Sequence, residues 1–342
     1  MTSRKVLSVY LRFAGYIAML VALSYSPAQP ATAAEIWMAS VEPAARGAIQ
    51  TLHARSDYMD LFRPDAPWAT AASGLKVFKV SGAFGLHSSD ENMQTLIHDL
   101  KRRHIALAVE FGVLVGGDRC GRTVEGYAAA TAVDTLVKRI KKFGGQIDYI
   151  AMDEPVWFGH AAKGAPLKGG SRAGIPGGHF CEDPIADLVD QIAPKIESLR
   201  QAFPNIQVGD IDPISARWPS EVEDLAQFAD LYRKKTGVPL AFLHTDISWQ
   251  TNWTPLLAEV AEQMHKRGIR LGVICDGDPA AQTNEEWVRT ALKHCKSIAA
   301  DPKVKPDDFI VQTWQPLPTK MLPETDPGAL TFALKQAEAM FH

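Results

Sequence analysis

Short apolar runs and amphipathic stretches alternate along most of this chain. The apolar runs contain many β-branched residues, which is typical of strands buried on both faces. The stretches between them repeat apolar residues every three or four positions and predict helices; Met93, Leu96, Ile97 and Leu100 illustrate this spacing. We predict strands over residues 36–40, 75–82, 105–113, 147–153, 206–211, 240–247, 270–275 and 309–314.

The predicted helices follow the strands in a regular order. They cover residues 90–103, 132–143, 184–203, 221–235, 253–267, 285–299 and 328–340, and residues 56–72 predict an irregular helix and loop. Eight strands, each followed by a helix or a helix-like segment, predict an α/β fold, a single (β/α)₈ (TIM) barrel over residues 35–342. A doubly wound sheet is the competing fold, but the glycine-rich dinucleotide fingerprint does not follow the first strand. Residues 160–181, rich in Gly, Lys, Ser and Pro, predict a long loop after the fourth strand, over a cleft.

The fourth strand ends in an unusual group of residues. Its sequence, IDYIAMDEPVWFG, passes from apolar residues into Asp153, Glu154 and Pro155, followed by Trp157 and Phe158. Two adjacent carboxylates at the end of a buried strand are costly for stability alone. The aromatic pair can raise the pKa of one carboxyl group or stack on a sugar ring. A solvated acidic turn is the alternative interpretation.

In (β/α)₈ barrels the active site lies at the carboxyl ends of the strands. Acidic residues are frequent at these positions here, and glycoside hydrolysis needs one protonated and one ionised carboxyl group. We choose Glu154 as the acid and Asp276 as the first candidate for its ionised partner. The further catalytic candidates are Asp153, Asp210, Asp212 and Asp246, and the candidate substrate-binding residues are Glu110, Trp157, His244, Asp278, Gln312 and Trp314. Adjacent strand residues point to opposite faces, so Asp153 and Glu154 must diverge.

The Asp153-Glu154-Pro155 ending resembles the Asn-Glu-Pro ending of the fourth strand in the large clan of retaining (β/α)₈ glycoside hydrolases. In that clan the Glu is the acid/base, which implies this role for Glu154, with Asp153 in the place of the Asn. The clan also has a Glu nucleophile at the end of the seventh strand, where this chain has Asp276-Gly277-Asp278. The resemblance therefore implies a more distant barrel hydrolase, one that uses an Asp. A carbohydrate is the expected partner, and no cofactor is expected.

The first residues predict export. Arg4, Lys5 and Arg12 precede an apolar segment over 13–25, and Ala31-Thr32-Ala33 has the spacing that a signal peptidase accepts. We predict a signal peptide over residues 1–34, a secreted or periplasmic mature protein, and no stable membrane span after cleavage. An uncleaved amino-terminal anchor is the alternative.

Charge argues against nucleic acid as a partner. The 342 residues carry a formal net charge of -3, from 36 Lys and Arg against 39 Asp and Glu. No basic run of the kind that follows phosphates occurs in the sequence. Nothing in the sequence indicates an oligomeric state.

The four cysteines fit an oxidising compartment. Cys120 and Cys181 both lie in glycine-rich polar loops, and export favours a disulfide between them. Cys275 ends an apolar strand and Cys295 lies in the next helix; these two either pair or remain buried thiols.

Two other functions compete with a hydrolase. Carboxylates and His244 at the strand ends can bind a divalent ion, as in a metal-dependent sugar isomerase, epimerase or lyase. A non-catalytic glycan-binding barrel would use the same acids to hold a ligand. Loss of activity with a chelator would indicate the first, and glycan binding without cleavage would indicate the second.

Overall fold

The computed structural model describes residues 34–43, 56–162 and 178–341. Eight parallel strands pair in sequence order and close into a barrel, with β1 hydrogen-bonded to β8. The predicted (β/α)₈ barrel is therefore confirmed. The strands are β1 Glu35–Ala39, β2 Leu75–Ser81, β3 Ala106–Phe111, β4 Tyr149–Asp153, β5 Gln207–Ile214, β6 Phe242–Ile247, β7 Arg270–Cys275 and β8 Asp308–Gln312.

Helices connect the strands around the outside of the barrel. In the described residues they are α1 Ala69–Gly74, α2 Gly82–His87, α3 Asp90–Arg103, α4 Ala132–Lys142, α5 Ile185–Ala202, α6 Glu221–Thr236, α7 Trp253–Lys266, α8 Asn284–Ala299 and α9 Leu330–Phe341. The irregular segment predicted over 56–72 contains a 3₁₀ helix, Tyr58–Phe62, and the start of α1. Helix α2 was not predicted; Ser81 begins it by accepting a hydrogen bond from the Phe84 amide.

The alternation of side chains along the strands separates two apolar cores. A small inner core fills the barrel, where the ring centroids of Trp37 and Tyr149 lie 4.8 Å apart. A larger outer core lies between the strands and the helices. The inner face becomes polar toward the carboxyl ends of the strands, so the barrel opens onto charged side chains at that end.

Strand β5 is longer than the sequence predicts. The predicted strand ends at Ile211, but pairing with β6 continues through Asp212, Pro213 and Ile214. Ile211 belongs to the inner core, whereas Val208 and Ile214 belong to the outer core. Asp210 and Asp212 alternate with Ile211, so they face the helices and not the barrel axis.

Two disulfides are present. Cys120 and Cys181 are bonded, as predicted, and join the segment after β3 to the segment before α5. Cys275, at the end of β7, is bonded to Cys295 in α8, which settles the alternative that the sequence left open. No helix in the described residues has the length and apolar character needed to cross a membrane. The predicted signal peptide lies outside the described residues except for Ala34, and so does the stretch 163–177 of the predicted loop after β4.

Candidate active site

Carboxyl groups from several strands and one loop meet at the carboxyl end of the barrel. Glu110 and Asp153 lie at inward-facing positions of β3 and β4, and Asp246 lies at the corresponding position of β6. Glu154 and Asp276 directly follow β4 and β7. We call this group of five acidic residues, together with the open space above them, the mouth.

Glu154 has a strained backbone conformation. Its φ is +46°, in the left-handed region that non-glycine residues rarely adopt. Two hydrogen bonds hold this conformation, one from the Glu154 amide to the Ile211 carbonyl oxygen (3.0 Å) and one from the Phe158 amide to the Glu154 carbonyl oxygen (2.9 Å). The strain therefore lies at the residue that sequence reasoning assigned as the acid, and the strand ends just before it.

Burial raises the pKa of Glu154 well above its usual value, and the nearby carboxylates add to the effect. The largest contribution among these charges comes from Asp246, followed by Glu125, Asp153 and Asp212. Both effects favour the protonated carboxyl group. The surroundings of Glu154 thus favour the form that can donate a proton.

Asp246 lies partly exposed in the mouth. Burial raises its pKa well above the usual value, and the charges of Asp276, Glu110 and Glu125 raise it further, against the opposing effect of Lys79. Within the described part of the chain, neither the Asp246 nor the Glu154 carboxyl group has a hydrogen-bond partner. Both groups are therefore available to a ligand.

Asp276 is more enclosed, with 3% of its surface exposed. The indole N–H of Trp249 donates to Oδ1, and the Gln315 side-chain amide donates to Oδ2 at 2.7 Å. Burial raises the pKa of Asp276 to about 7, and these two donors limit the rise because they stabilise the ionised form. Asp276 is thus held in place on both oxygens, unlike Asp246.

Glu110 belongs to a polar group at the ends of β2, β3 and β8. Its Oε2 pairs with the ammonium group of Lys79, a lysine with 1% of its side chain exposed, and accepts a hydrogen bond from Gln312 Nε2 at 3.3 Å. A cavity of about 200 Å³ lies beside these residues, with Trp314 at its edge. A second cavity, of about 560 Å³, borders Glu110, Glu125 and Asp153.

Glu125, in the loop between β3 and α4, is a sixth acidic residue that lies next to the five of the mouth. This loop is held by the Cys120–Cys181 disulfide, by a bridge between Leu114 and Tyr127, and by a hydrogen bond from the Tyr127 hydroxyl to the Phe158 carbonyl oxygen (3.3 Å). Glu125 is open to solvent on one side, but the surrounding protein and the charge of Glu110 raise its pKa to about 7. Sequence reasoning did not find Glu125, because no periodic pattern marks this loop.

Asp210 and Asp212 lie behind the mouth, on the outer face of β5. The two carboxyl groups are buried, and burial raises the pKa of each of them; the charge of Asp212 raises that of Asp210 further. Asp212 also accepts hydrogen bonds from the amides of Val156 (3.3 Å) and Trp157 (2.8 Å), in the turn that follows Glu154. This position suits a role in holding Glu154 and not a role in contacting a substrate.

Other predicted site residues occupy varied positions. His244 is fully buried inside the barrel, where its Nε2 lies 3.4 Å from Asp308, so it is below the mouth and not part of it. Asp278 accepts a hydrogen bond from the Ala280 amide (2.8 Å) and stabilises its own turn. Trp157 packs against Trp218 with ring centroids 5.3 Å apart.

Two further residues of the site were missed by sequence reasoning. Lys79 lies within the predicted strand over residues 75–82, and its contact with Glu110 depends on the pairing of β2 with β3. Glu42 follows β1 in a segment without periodicity, and its buried carboxyl group accepts hydrogen bonds from the Ser81 amide and hydroxyl. Among the described residues, no group of three or more His, Cys, Asp and Glu side chains is arranged to hold a metal ion.

Several solved structures are similar to this barrel at low sequence identity. Xylanase 10B from Thermotoga maritima is 13% identical, with 82% of this chain and 83% of that chain covered and a TM-score of 0.46. The GH53 catalytic domain from Ignisphaera aggregans is 10% identical, with 92% and 98% covered and a TM-score of 0.49. A β-mannanase from Thermomonospora fusca is 12% identical, with 77% and 80% covered and a TM-score of 0.46.

These structural neighbours are (β/α)₈ glycoside hydrolases. No protein-family model matches the chain, and none of the curated proteins is similar to it in sequence. A likeness at this level concerns the fold alone and does not determine which reaction the side chains of this chain can catalyse.

Proposed function

We propose that this protein is an exported glycoside hydrolase that cleaves a glycosidic bond in an oligo- or polysaccharide by acid/base catalysis between carboxyl groups. The observation that carries the proposal is that the carboxyl groups of Glu154 and Asp246 lie together at the mouth, near enough for the charge of one to act on the other. Asp246 is the charge that most strongly raises the pKa of Glu154, and within the described residues neither carboxyl group has a hydrogen-bond partner.

Glu154 is the proton donor to the departing glycosidic oxygen. Its burial and its acidic neighbours raise its pKa and so favour the protonated carboxyl group. The hydrogen bonds of its backbone and the contacts of Asp212 with Val156 and Trp157 hold the turn that carries it. A fixed donor loses little entropy in reaching the transition state.

Asp246 is the ionised partner, which activates water or attacks the anomeric carbon. The sequence alone favoured Asp276, but both oxygens of Asp276 are occupied by Trp249 and Gln315. Asp276 instead holds this side of the mouth and, as a nearby negative charge, raises the pKa of Asp246. Trp314, with 38% of its surface exposed beside the 200 Å³ cavity, offers an apolar face for a sugar ring.

Export is supported by two features. The charged and apolar pattern of the first residues fits a signal peptide. The Cys120–Cys181 and Cys275–Cys295 disulfides belong to the chemistry of oxidising compartments.

The test compares Glu154→Gln and Asp246→Asn with the unaltered protein and with Asp134→Asn, an exposed position in α4. Cleavage of a panel of neutral, acidic and amino polysaccharides is followed by release of reducing ends and by mass spectrometry of the products. We expect each site variant to lose about 10²- to 10⁴-fold in kcat, as removal of a general acid or base does. The Asp134→Asn control should keep full activity, and thermal denaturation should show that all variants are folded.

Several outcomes would contradict the proposal. Wild-type turnover by both site variants would remove Glu154 and Asp246 from the chemistry. Glycan binding without any cleavage by the unaltered protein would identify a binding module, and loss of activity with a chelator would identify a metal-dependent enzyme.

A further inference from the structure

The 200 Å³ cavity at the ends of β1, β2, β3 and β8 has an excess of hydrogen-bond acceptors. It is lined by the side chains of Ser40, Lys79, Glu110, Glu125 and Gln312, among others. Its volume is below that of a pocket for a drug-sized molecule and suits a single sugar unit. The composition of its lining therefore indicates which kind of sugar unit it would take.

The charges of this lining do not balance. Among the described residues that line the cavity, Lys79 is the only Lys or Arg, and its ammonium group is already paired with Glu110. Glu125 lies at the edge of the cavity, open to solvent, and has no ion pair within the described part of the chain. Asp153 and Asp246 lie nearby in the mouth and feel the charges of both Glu110 and Glu125. An added positive charge would therefore be stabilised here.

A buried acceptor independently points to a donor-rich ligand. Gln312 is 6% exposed, and its Oε1 has no hydrogen-bond partner among the residues that the structure describes. The orientation of this amide is fixed by chemistry, because the acceptor Glu110 requires the Gln312 NH₂ group to face it. The carbonyl oxygen is thereby left for a ligand. The Ser40 hydroxyl, also 6% exposed and lining the cavity, likewise has no hydrogen-bond partner in the described part of the chain.

An ammonium group fits both the negative charge of the cavity and its free acceptor oxygens, because it has a positive charge and three hydrogen-bond donors but no acceptor. A sugar hydroxyl supplies a donor but no charge. An N-acetyl group removes the charge and adds a carbonyl oxygen, which the carboxylates of the cavity would repel. The Trp314 indole at the cavity edge can stack on the ring of the same sugar or face its cation.

We propose that this cavity binds the ammonium group of a free amino sugar, so that the substrate of the site is a cationic glycan of hexosamine units without N-acetyl groups. This inference rests on the proposed glycoside hydrolase function, and it assigns the substrate class of that site. Glu125, Glu110 and Gln312 supply the acceptors that recognise the amine.

The first experiment compares three oligosaccharides of equal length: a β-1,4-glucosamine hexamer, its fully N-acetylated form, and cellohexaose. We expect kcat/KM for the glucosamine hexamer to exceed that for each of the others at least tenfold, and to fall as the salt concentration rises, because the attraction is between charges. In Glu125→Gln the preference for the free amine should fall about tenfold, whereas Glu259→Gln, an exposed position in α7, should leave it unchanged.

The second experiment separates this inference from the proposed function. Binding of the glucosamine hexamer to Glu154→Gln is measured by titration calorimetry, with the acetylated hexamer and cellohexaose as comparisons. Tighter binding of the amine supports the inference even where the unaltered protein cleaves no glycan, a result that would refute only the hydrolase. Cleavage and binding of neutral or acetylated chains as well as or better than the amine would overturn the inference and leave the hydrolase intact. No binding and no cleavage of any of the three would overturn the inference, whereas the hydrolase is overturned only if the polysaccharide panel is not cleaved either.

Discussion

The buried carboxyl group of Glu42 should make the free energy of unfolding depend on pH, by an amount that can be estimated. Glu42 follows β1 with 3% of its surface exposed, and it accepts hydrogen bonds from the Ser81 amide (2.5 Å) and the Ser81 hydroxyl (2.9 Å). Burial raises its pKa from 4.5 to about 7, against the opposing effect of the Ser81 donors and with a smaller contribution from the charge of Glu110. The folded protein therefore binds a proton at Glu42 that the unfolded chain has released over this range of pH.

The sign of the effect follows from this difference. The contribution of Glu42 to the free energy of unfolding is fully present below the unfolded pKa of 4.5 and is lost as the pH rises through the folded pKa of about 7. At about 1.4 kcal/mol for each pH unit between the two values, the loss at pH 8 is about 3 kcal/mol. Glutamine cannot ionise, and its carbonyl oxygen can still accept the Ser81 amide. Glu42→Gln should therefore match the unaltered protein near pH 4 and exceed its stability by about 3 kcal/mol near pH 8.

Urea denaturation, followed by tryptophan fluorescence between about pH 4 and pH 8, measures this difference. The other titrating groups are present in both proteins, so subtraction of the two curves isolates Glu42. The control is Glu259→Gln, at an exposed position of α7, whose difference from the unaltered protein should not vary with pH. A Glu42→Gln difference that is constant across the range, or that favours the unaltered protein near pH 8, would refute the assignment of a buried proton to Glu42.

Two further predictions concern the turn after β4 and the amino terminus. Asp212→Ala removes the acceptor of the Val156 and Trp157 amides and should lower the free energy of unfolding by about 2–4 kcal/mol. A parallel fall in kcat is expected. Asp212→Asn keeps one acceptor oxygen and should therefore retain part of the stability and part of the activity. A urea midpoint unchanged in Asp212→Ala would show that these hydrogen bonds do not hold the turn. If the protein is exported as proposed, the mature chain should begin at Ala34 or Glu35, and intact mass spectrometry of material from the culture medium or periplasm checks this. Recovery in the membrane fraction with residues 1–33 retained would favour the uncleaved anchor.

The barrel could be predicted because its signal is repeated and local. Each apolar run lies within one strand, and the bounds of α3 and β7 coincide with the predicted ones. Helix α2 was missed because Gly82–His87 has only six residues, too few to show a helical period. The error in β5 had a different cause. Asp212 and Pro213 are typical of strand ends, and Pro lacks an amide hydrogen, but pairing with β6 extends the strand through both residues.

The candidate site could be predicted only in part, since its members come together through the fold. Glu154 could be chosen as a candidate because its neighbours in sequence are themselves unusual. The sequence pattern could not distinguish Asp276 from Asp246 as the ionised partner. The two carboxyl oxygens of Asp276 accept hydrogen bonds from Trp249 and Gln315, which are distant in sequence. Glu125 lies in a loop whose position depends on the Cys120–Cys181 disulfide and on Tyr127, and no sequence period records either contact.

In the proposed hydrolase, the acidity of the mouth would allow two similar carboxyl groups to take different roles. Glu154 and Asp246 raise each other's cost of ionisation, so the second proton is lost at a higher pH than the first and the pair belongs to one coupled titration. Over the range between those two steps, one group is protonated while the other is ionised, which is the state that acid/base cleavage requires. The surrounding carboxyl groups raise the pKa of both groups, and the backbone hydrogen bonds of Glu154 hold its left-handed conformation. In the proposed hydrolase, the acidic cluster, costly for the fold, would thus serve the division between acid and base.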